Sequence, residues 1–135
     1  MTMNQRVRDE RGAVSIIQVV LIAPALLLVL MFIVQYALVA HAQSVAEAAA
    51  EEGASVARRA DGNEAGAQAE VVKYLQALGP KMLTGRTISV RRTQETATVT
   101  VTGDVISLVP GIHPKVRETS SGPVERYVPP VEDGS

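Results

Sequence analysis

Few side chains in this sequence are of the types that perform catalysis or hold metal ions. The chain has two histidines, His41 and His113, and no cysteine, which excludes disulfides, thiolate metal sites and cysteine nucleophiles. The histidines are far apart in sequence and have no metal-ligand spacing around them. Glu51 and Glu52 are adjacent, so their carboxylates diverge around a helix and form no acid–base pair. We therefore predict that the protein is not an enzyme and holds no metal or cofactor.

Two short patterns instead indicate that the chain is a substrate for proteolytic processing. Ala40-His41-Ala42 is an A-x-A pattern, and a signal-peptidase cut there leaves Gln43 first. The apolar stretch before it is longer than the roughly 7–15 residues of an ordinary signal-peptide core. Arg11-Gly12 ends a short charged segment that a long apolar stretch follows, which is the form of a prepilin-type leader cut between Gly12 and Ala13. An uncleaved anchor is the third interpretation.

The long apolar stretch is the strongest signal in the sequence. No residue from Gly12 to Ala46 carries a formal charge, and 13–40 is almost wholly apolar. A helix needs about 20 apolar residues to cross the hydrocarbon layer. Basic residues precede the stretch at Arg6, Arg8 and Arg11. The positive-inside rule then predicts a single-pass cell-membrane protein with a cytoplasmic N-terminus and an extracytoplasmic C-terminal domain.

The predicted span continues without a turn into an Ala-rich helix. Residues 43–59 are rich in strong helix formers. Small residues recur every four positions, at Ala42, Ala46, Ala50 and Ala54. Because such a stripe lets helix backbones approach closely, we predict a packing face between subunits of an assembly. The alternative interpretation is a solvated spacer helix.

The remainder of the chain predicts a small α+β domain, one helix on three or four antiparallel strands. Helical spacing covers 64–78, between the turn residues 61–63 and the stop signal Gly79-Pro80. Alternating residues predict strands over 87–92 and 97–102, an extension over 105–109 past a bulge at Gly103, and a weaker hairpin from 115–119 and 124–128. The predicted organisation is a leader over 1–12, a long helix over 13–60, a domain over 61–128 and a tail over 129–135.

Charge and composition limit the kind of partner that the chain can bind and the size of its core. The net charge is −1, and acidic and basic residues are interspersed, which argues against a nucleic-acid surface. The chain has one Phe and no Trp, so the predicted domain has only a small aliphatic core.

Several blocks of the sequence share one register: Arg11-Gly12-Ala13-Val14-Ser15, Pro24 among aliphatics, Gln35-Tyr36, Val45-Ala46-Glu47-Ala48-Ala49 and Glu52-Gly53-Ala54. Together they resemble the N-terminal part of the TadE-like pseudopilins of tight-adherence (Tad) pilus systems. The resemblance implies a membrane-anchored minor pseudopilin, a structural component of pilus assembly. It implies as partners other pilin-like subunits, the pilus assembly machinery and a prepilin-type peptidase that cuts between Gly12 and Ala13.

At one position the chain departs from the pattern of pilin-like proteins, which usually carry Glu five residues after the cleaved Gly. That count reaches Ile17, and the family spacing back from Pro24 reaches Gln18. A Glu there is taken to pair with the N-terminal amine of a neighbouring subunit within the membrane. Gln18 accepts a hydrogen bond but neutralises no charge. A second functional class is therefore a non-polymerising anchor protein whose outer domain binds a cell-envelope partner.

Overall fold

The computed structural model describes residues 3–131, with side chains from residue 11 onward. The side chains of Arg6 and Arg8, and the ends of the predicted leader and tail, lie outside the described residues. The described part of the chain forms two helices and three strands: α1 (Met3–Arg58), α2 (Glu64–Leu78), β1 (Leu83–Arg92), β2 (Thr96–Val105) and β3 (Lys115–Pro123). The predicted α+β fold, a long N-terminal helix followed by a short helix and an antiparallel sheet, is confirmed.

The chain divides into two compact units, Met1–Tyr36 and Ala37–Ser135, and helix α1 contributes to both. We call them the N-terminal unit and the C-terminal unit. In the N-terminal unit α1 continues through Pro24. A proline removes one backbone hydrogen bond, and helices in membranes tolerate this loss.

The sheet of the C-terminal unit has the order β1-β2-β3, with both pairs antiparallel. The first pair runs from Arg92↔Ala97 to Leu83↔Val105, and the second from Thr96↔Pro123 to Asp104↔Lys115. Strand β2 lies at the centre, and its alternate side chains are buried: Ala97, Val99, Val101 and Val105. This strict alternation buries one face of β2, as its sequence predicts.

Helix α2 has the end signals that its sequence predicts. The Asn63 side chain accepts a hydrogen bond from the Gly66 backbone N–H at 2.6 Å, which caps the N-terminus. At the other end the Gly79 N–H donates to the Leu75 carbonyl at 2.9 Å. The buried side chains of α2 are those of Ala67, Val71 and Leu75.

Two details of the predicted sheet are wrong. Strand β2 passes through Gly103 without a bulge and ends at Val105, and the irregularity lies in β1, between Thr84 and Thr87. Gly85 lies in that interval with a φ of 54°, a conformation that glycine adopts readily. Gly103 meets a different requirement, because a Cβ there would lie 2.8 Å from Leu83 Cδ2.

The predicted second hairpin is also wrong. The chain from Lys115 to Pro123 forms the single strand β3, and residues 124–128 form no strand. A hairpin of 115–119 with 124–128 would place Ser121 and Gly122 in its turn, but these two residues pair with Thr98 and Ala97 of β2. Ladder pairing with a complete central strand outweighs the local turn preference of a Ser-Gly pair.

Candidate functional site

The helix of the N-terminal unit exposes large aliphatic side chains around its whole circumference. Exposed fractions range from 41% at Val34 to 70% at Leu21, and Phe32 and Tyr36 are exposed as well. The most apolar window of the helix Arg11–Arg58 has a mean hydropathy of 2.9, with none of it buried. An apolar surface of this extent is far larger than water-soluble proteins carry. Its length and composition fit a single-pass membrane helix.

The residues predicted for processing lie on this exposed part of α1. Gly12 and Ala13 are both exposed, and so is Gln18, which was predicted for helix packing at the position of the missing Glu. No atom lies within 4 Å of the position that a Cβ on Gly12 would occupy. The fold therefore leaves room for a larger side chain at Gly12. Packing does not require glycine at this position, so its role has to be tested through the specificity of a peptidase.

The four alanines of the predicted packing stripe lie in the core of the C-terminal unit. Their exposed fractions are 0% for Ala42, Ala46 and Ala50, and 2% for Ala54. They share one cluster with core residues of α2 and of the sheet, including Val71, Val99, Val101 and Val116. The stripe is thus covered by the chain itself in this conformation.

Gly53 shows why small residues stand on this face of α1. A Cβ on Gly53 would overlap the Val71 side chain of α2 and lie 3.2 Å from Val99 Cγ1 of β2. Ala57, one turn further on, shares a small buried cluster with Ala67 of α2 and Ala97 of β2. The backbone of α1 therefore approaches both layers closely. The sequence showed the small residues, but their spacing is the same for packing within a chain and between chains.

Arg92 was not singled out from the sequence, and it holds the end of α1 to the sheet. Its Nε donates to the Ala57 carbonyl at 2.8 Å, and its Nη2 donates to the Arg59 carbonyl at 3.2 Å. Its backbone N–H donates to Oε1 of Glu64 at 2.9 Å. A guanidinium is favourable at a helix C-terminus, where carbonyl groups lack helical partners. The residues in these contacts are 28 to 35 positions apart in sequence, so no local sequence pattern predicts them.

The solvent-exposed face of α1 in the C-terminal unit is polar. Its exposed residues include Gln43, Ser44, Glu47 and Glu51. His41 and His113 are exposed as well. Among the described residues, no three His, Cys, Asp or Glu side chains are grouped so that they could hold a metal ion.

The chain therefore combines a lipid-compatible helix with a small α+β domain built on the continuation of that helix. Residues 12–55, about a third of the chain, match the model of the family described as TadE-like protein. The match confirms the resemblance over this segment. No curated protein and no solved structure matches the chain.

Proposed function

We propose that the chain is a membrane-anchored minor pseudopilin, a structural rather than catalytic component of Tad-type pilus assembly. One observation carries the proposal: the family match, residues 12–55, takes in both parts of α1. It begins at Gly12, passes through the exposed aliphatic helix and ends two residues after Gly53, where α1 meets α2 and β2. The matched segment is thus the anchor together with the helix on which the C-terminal domain is built.

In this role the aliphatic part of α1 holds the subunit in the membrane, with the N-terminus in the cytoplasm and the C-terminal domain outside. The orientation rests on the basic residues that precede the span, Arg11 among them. Because the alanine stripe is covered by the chain's own domain, the surfaces left for other subunits are the aliphatic helix and the polar face with Ser44, Glu47 and Glu51.

The proposed processing site is the bond between Gly12 and Ala13, after a leader over 1–12. The test is the N-terminal peptide of the protein isolated from membranes of cells that contain a prepilin-type peptidase. A mature chain that begins at Ala13 is expected, and Gly12→Val should leave the full chain uncut. Arg11→Lys, which keeps the charge, is the matched control and should be processed normally. A soluble protein that begins at Gln43 would end the pseudopilin proposal.

The lack of a carboxylate near the new N-terminus gives a second test. An amine that enters lipid without a carboxylate partner is costly, and Gln18 offers only a neutral amide. Gln18→Glu should leave processing unchanged and increase the amount of the protein recovered with filaments. Gln18→Leu is the control and should not increase it. Equal recovery of all three chains would show that this position has no part in assembly.

The absence of any acidic residue from Gly12 to Ala46 favours one alternative, a non-polymerising anchor whose outer domain binds a cell-envelope partner. Single cysteines at Ser44 or Glu47 separate the two functions, because both positions are exposed on α1 and the chain has no other cysteine. With an added mild oxidant, disulfide cross-links to pilin-like subunits that carry an introduced cysteine of their own are expected for a pseudopilin. Their absence in cells that assemble pili would favour the anchor protein.

A further inference from the structure

The loop between β2 and β3, residues 106–114, exposes aliphatic side chains at the end of the sheet. The exposed fractions are 45% for Ile106, 42% for Leu108 and 40% for Ile112. No Asp, Glu, Lys or Arg occurs from Val105 to Pro114. Loops on water-exposed surfaces are usually polar at such positions, so this loop is a candidate for contact with an apolar phase.

Internal contacts fix the shape of this loop. The Val105 N–H donates to the Pro114 carbonyl at 2.9 Å and closes the base of the loop. Within it the Ile112 N–H donates to the Val109 carbonyl at 3.2 Å, and the Ser107 hydroxyl donates to the same carbonyl at 2.8 Å. Because Val109 is buried, at 9% exposed, the loop is pinned to the domain and presents its other aliphatic side chains outward.

The contacts of α1 place this loop along the helix. Ala97 of β2 clusters with Ala57, and Val99 of β2 lies against Gly53. From Ala97 to Val99 the strand advances by two residues, about 7 Å, while the helix goes back by four residues, about 6 Å. The two lengths match and the directions are opposite, so β2 runs antiparallel to α1. Six further strand residues, about 20 Å, correspond to about 13 helix residues. Val105, where the loop begins, therefore lies near Ala40.

A shared cluster supports this placement. Leu38 and Val39, at the start of the C-terminal unit, pack against the cluster that contains Val105. Ala37 follows directly on Tyr36, which is the last large exposed apolar residue of the apolar run of α1. If that run spans the membrane, the first residues of the C-terminal unit are tethered at the lipid surface. The loop lies at the same end of the C-terminal unit as Leu38 and Val39. Its closeness to the lipid surface therefore does not depend on which side of the membrane the C-terminal unit occupies.

We propose that loop 106–114 is a second membrane contact, which inserts Ile106, Leu108 and Ile112 into the lipid at the membrane interface. A polar rim lies at the base of the loop, where Lys115 Nζ pairs with Asp104 Oδ1 at 3.6 Å and the Lys115 side chain is 71% exposed. Aliphatic side chains below a polar rim with an exposed lysine fit an interfacial contact, since the long Lys side chain reaches the headgroups. The loop thereby fixes the tilt of the C-terminal domain on the membrane.

The test uses tryptophan, which the chain lacks. The full chain with Leu108→Trp is reconstituted in phosphatidylcholine vesicles whose acyl chains are brominated near the glycerol. Lipid insertion predicts a blue-shifted emission and at least a twofold loss of intensity relative to unbrominated vesicles. Gln94→Trp is the matched control, because it lies in the exposed turn at the opposite end of the sheet, and it should lose little intensity.

Two outcomes would overturn the proposal. The first is a Leu108→Trp chain that is quenched no more than Gln94→Trp while its far-ultraviolet circular dichroism matches the unmodified chain. The second is a blue-shifted emission that brominated lipid does not quench and that moves back to the red as the protein is diluted in lipid, since a second copy of the chain would then cover the loop. If Leu108→Trp fails to fold, Ile112→Trp gives the same readout. The test needs no pilus component, so its result is independent of the proposed pseudopilin function.

Discussion

The two parts of helix α1 expose opposite kinds of residue. In the N-terminal unit the large aliphatic side chains are exposed, as at Leu21 with 70%. In the C-terminal unit the small side chains are buried, as at Ala46 and Ala50 with 0%, and the exposed ones are polar. One continuous helix thus has two surface chemistries that meet near Tyr36 and Ala37.

This difference fits two different surroundings. Burial of apolar area stabilises a protein in water by about 25 cal/mol per Å², so a water-exposed helix would not keep this many aliphatic side chains uncovered. Lipid removes that penalty, and large side chains then face outward. In the C-terminal unit the sheet and α2 cover the helix, and alanine is favoured because it lets the backbones approach.

The largest expected effect comes from charge in the aliphatic part. The double change Leu26→Arg and Leu30→Arg should cost about 5–7 kcal/mol of membrane insertion free energy, because each arginine near the centre costs about 2.5–3.5 kcal/mol. The measurement is the fraction of the chain that stays in the membrane pellet after carbonate extraction. Leu26→Ala with Leu30→Ala is the control. Full retention of the arginine variant in the pellet would contradict a lipid-embedded helix.

A bulky residue in the alanine stripe should have a smaller effect and a different readout. Ala46→Leu overfills a fully buried site and should lower the free energy of unfolding of the C-terminal domain by about 1–3 kcal/mol. Membrane retention should not change. The control is Glu47→Leu on the adjacent exposed position, which should shift domain stability by less than about 0.5 kcal/mol. The stability of both variants is measured as protease resistance of the domain during heating. Equal melting curves for Ala46→Leu and Glu47→Leu would argue that the stripe is not covered.

The smallest effect is expected at the end of α1. Arg92→Gln removes the hydrogen bonds to the Ala57 and Arg59 carbonyls and should destabilise the domain by about 1 kcal/mol. Arg91→Gln is the matched control, because Arg91 is exposed and makes no such contact to α1 among the described hydrogen bonds. Hydrogen exchange of the last turn of α1 measures the difference. Equal exchange in both variants would show that Arg92 does not hold this end.

Local signals account for the parts of the fold that the sequence predicts. The turn at Asn63, the stop at Gly79 and the alternation of β2 each depend on neighbouring residues, and each is found in the structure. The apolar span is readable for the same reason, since 13–40 carries its signal in composition alone.

Long-range contacts account for the parts that were missed. The Ser-Gly pair at 121–122 becomes strand because β2 offers a partner, and Gly103 is required by the approach of Leu83 rather than by a bulge. The alanine stripe was visible, but its partners were not, because a four-residue spacing describes a close-packing face without saying what lies opposite.

The most direct test of the two surroundings is a nitroxide scan along α1. Single cysteines at Leu21, Leu28, Glu47 and Glu51 carry the spin label in the reconstituted full chain, and collision with oxygen is compared with collision with a water-soluble nickel complex. We predict that the labels at Leu21 and Leu28 collide mainly with oxygen and the labels at Glu47 and Glu51 mainly with nickel, so that the preference reverses between Leu28 and Glu47. Labels at Leu21 and Leu28 that collide mainly with nickel would contradict a membrane anchor in this part of α1.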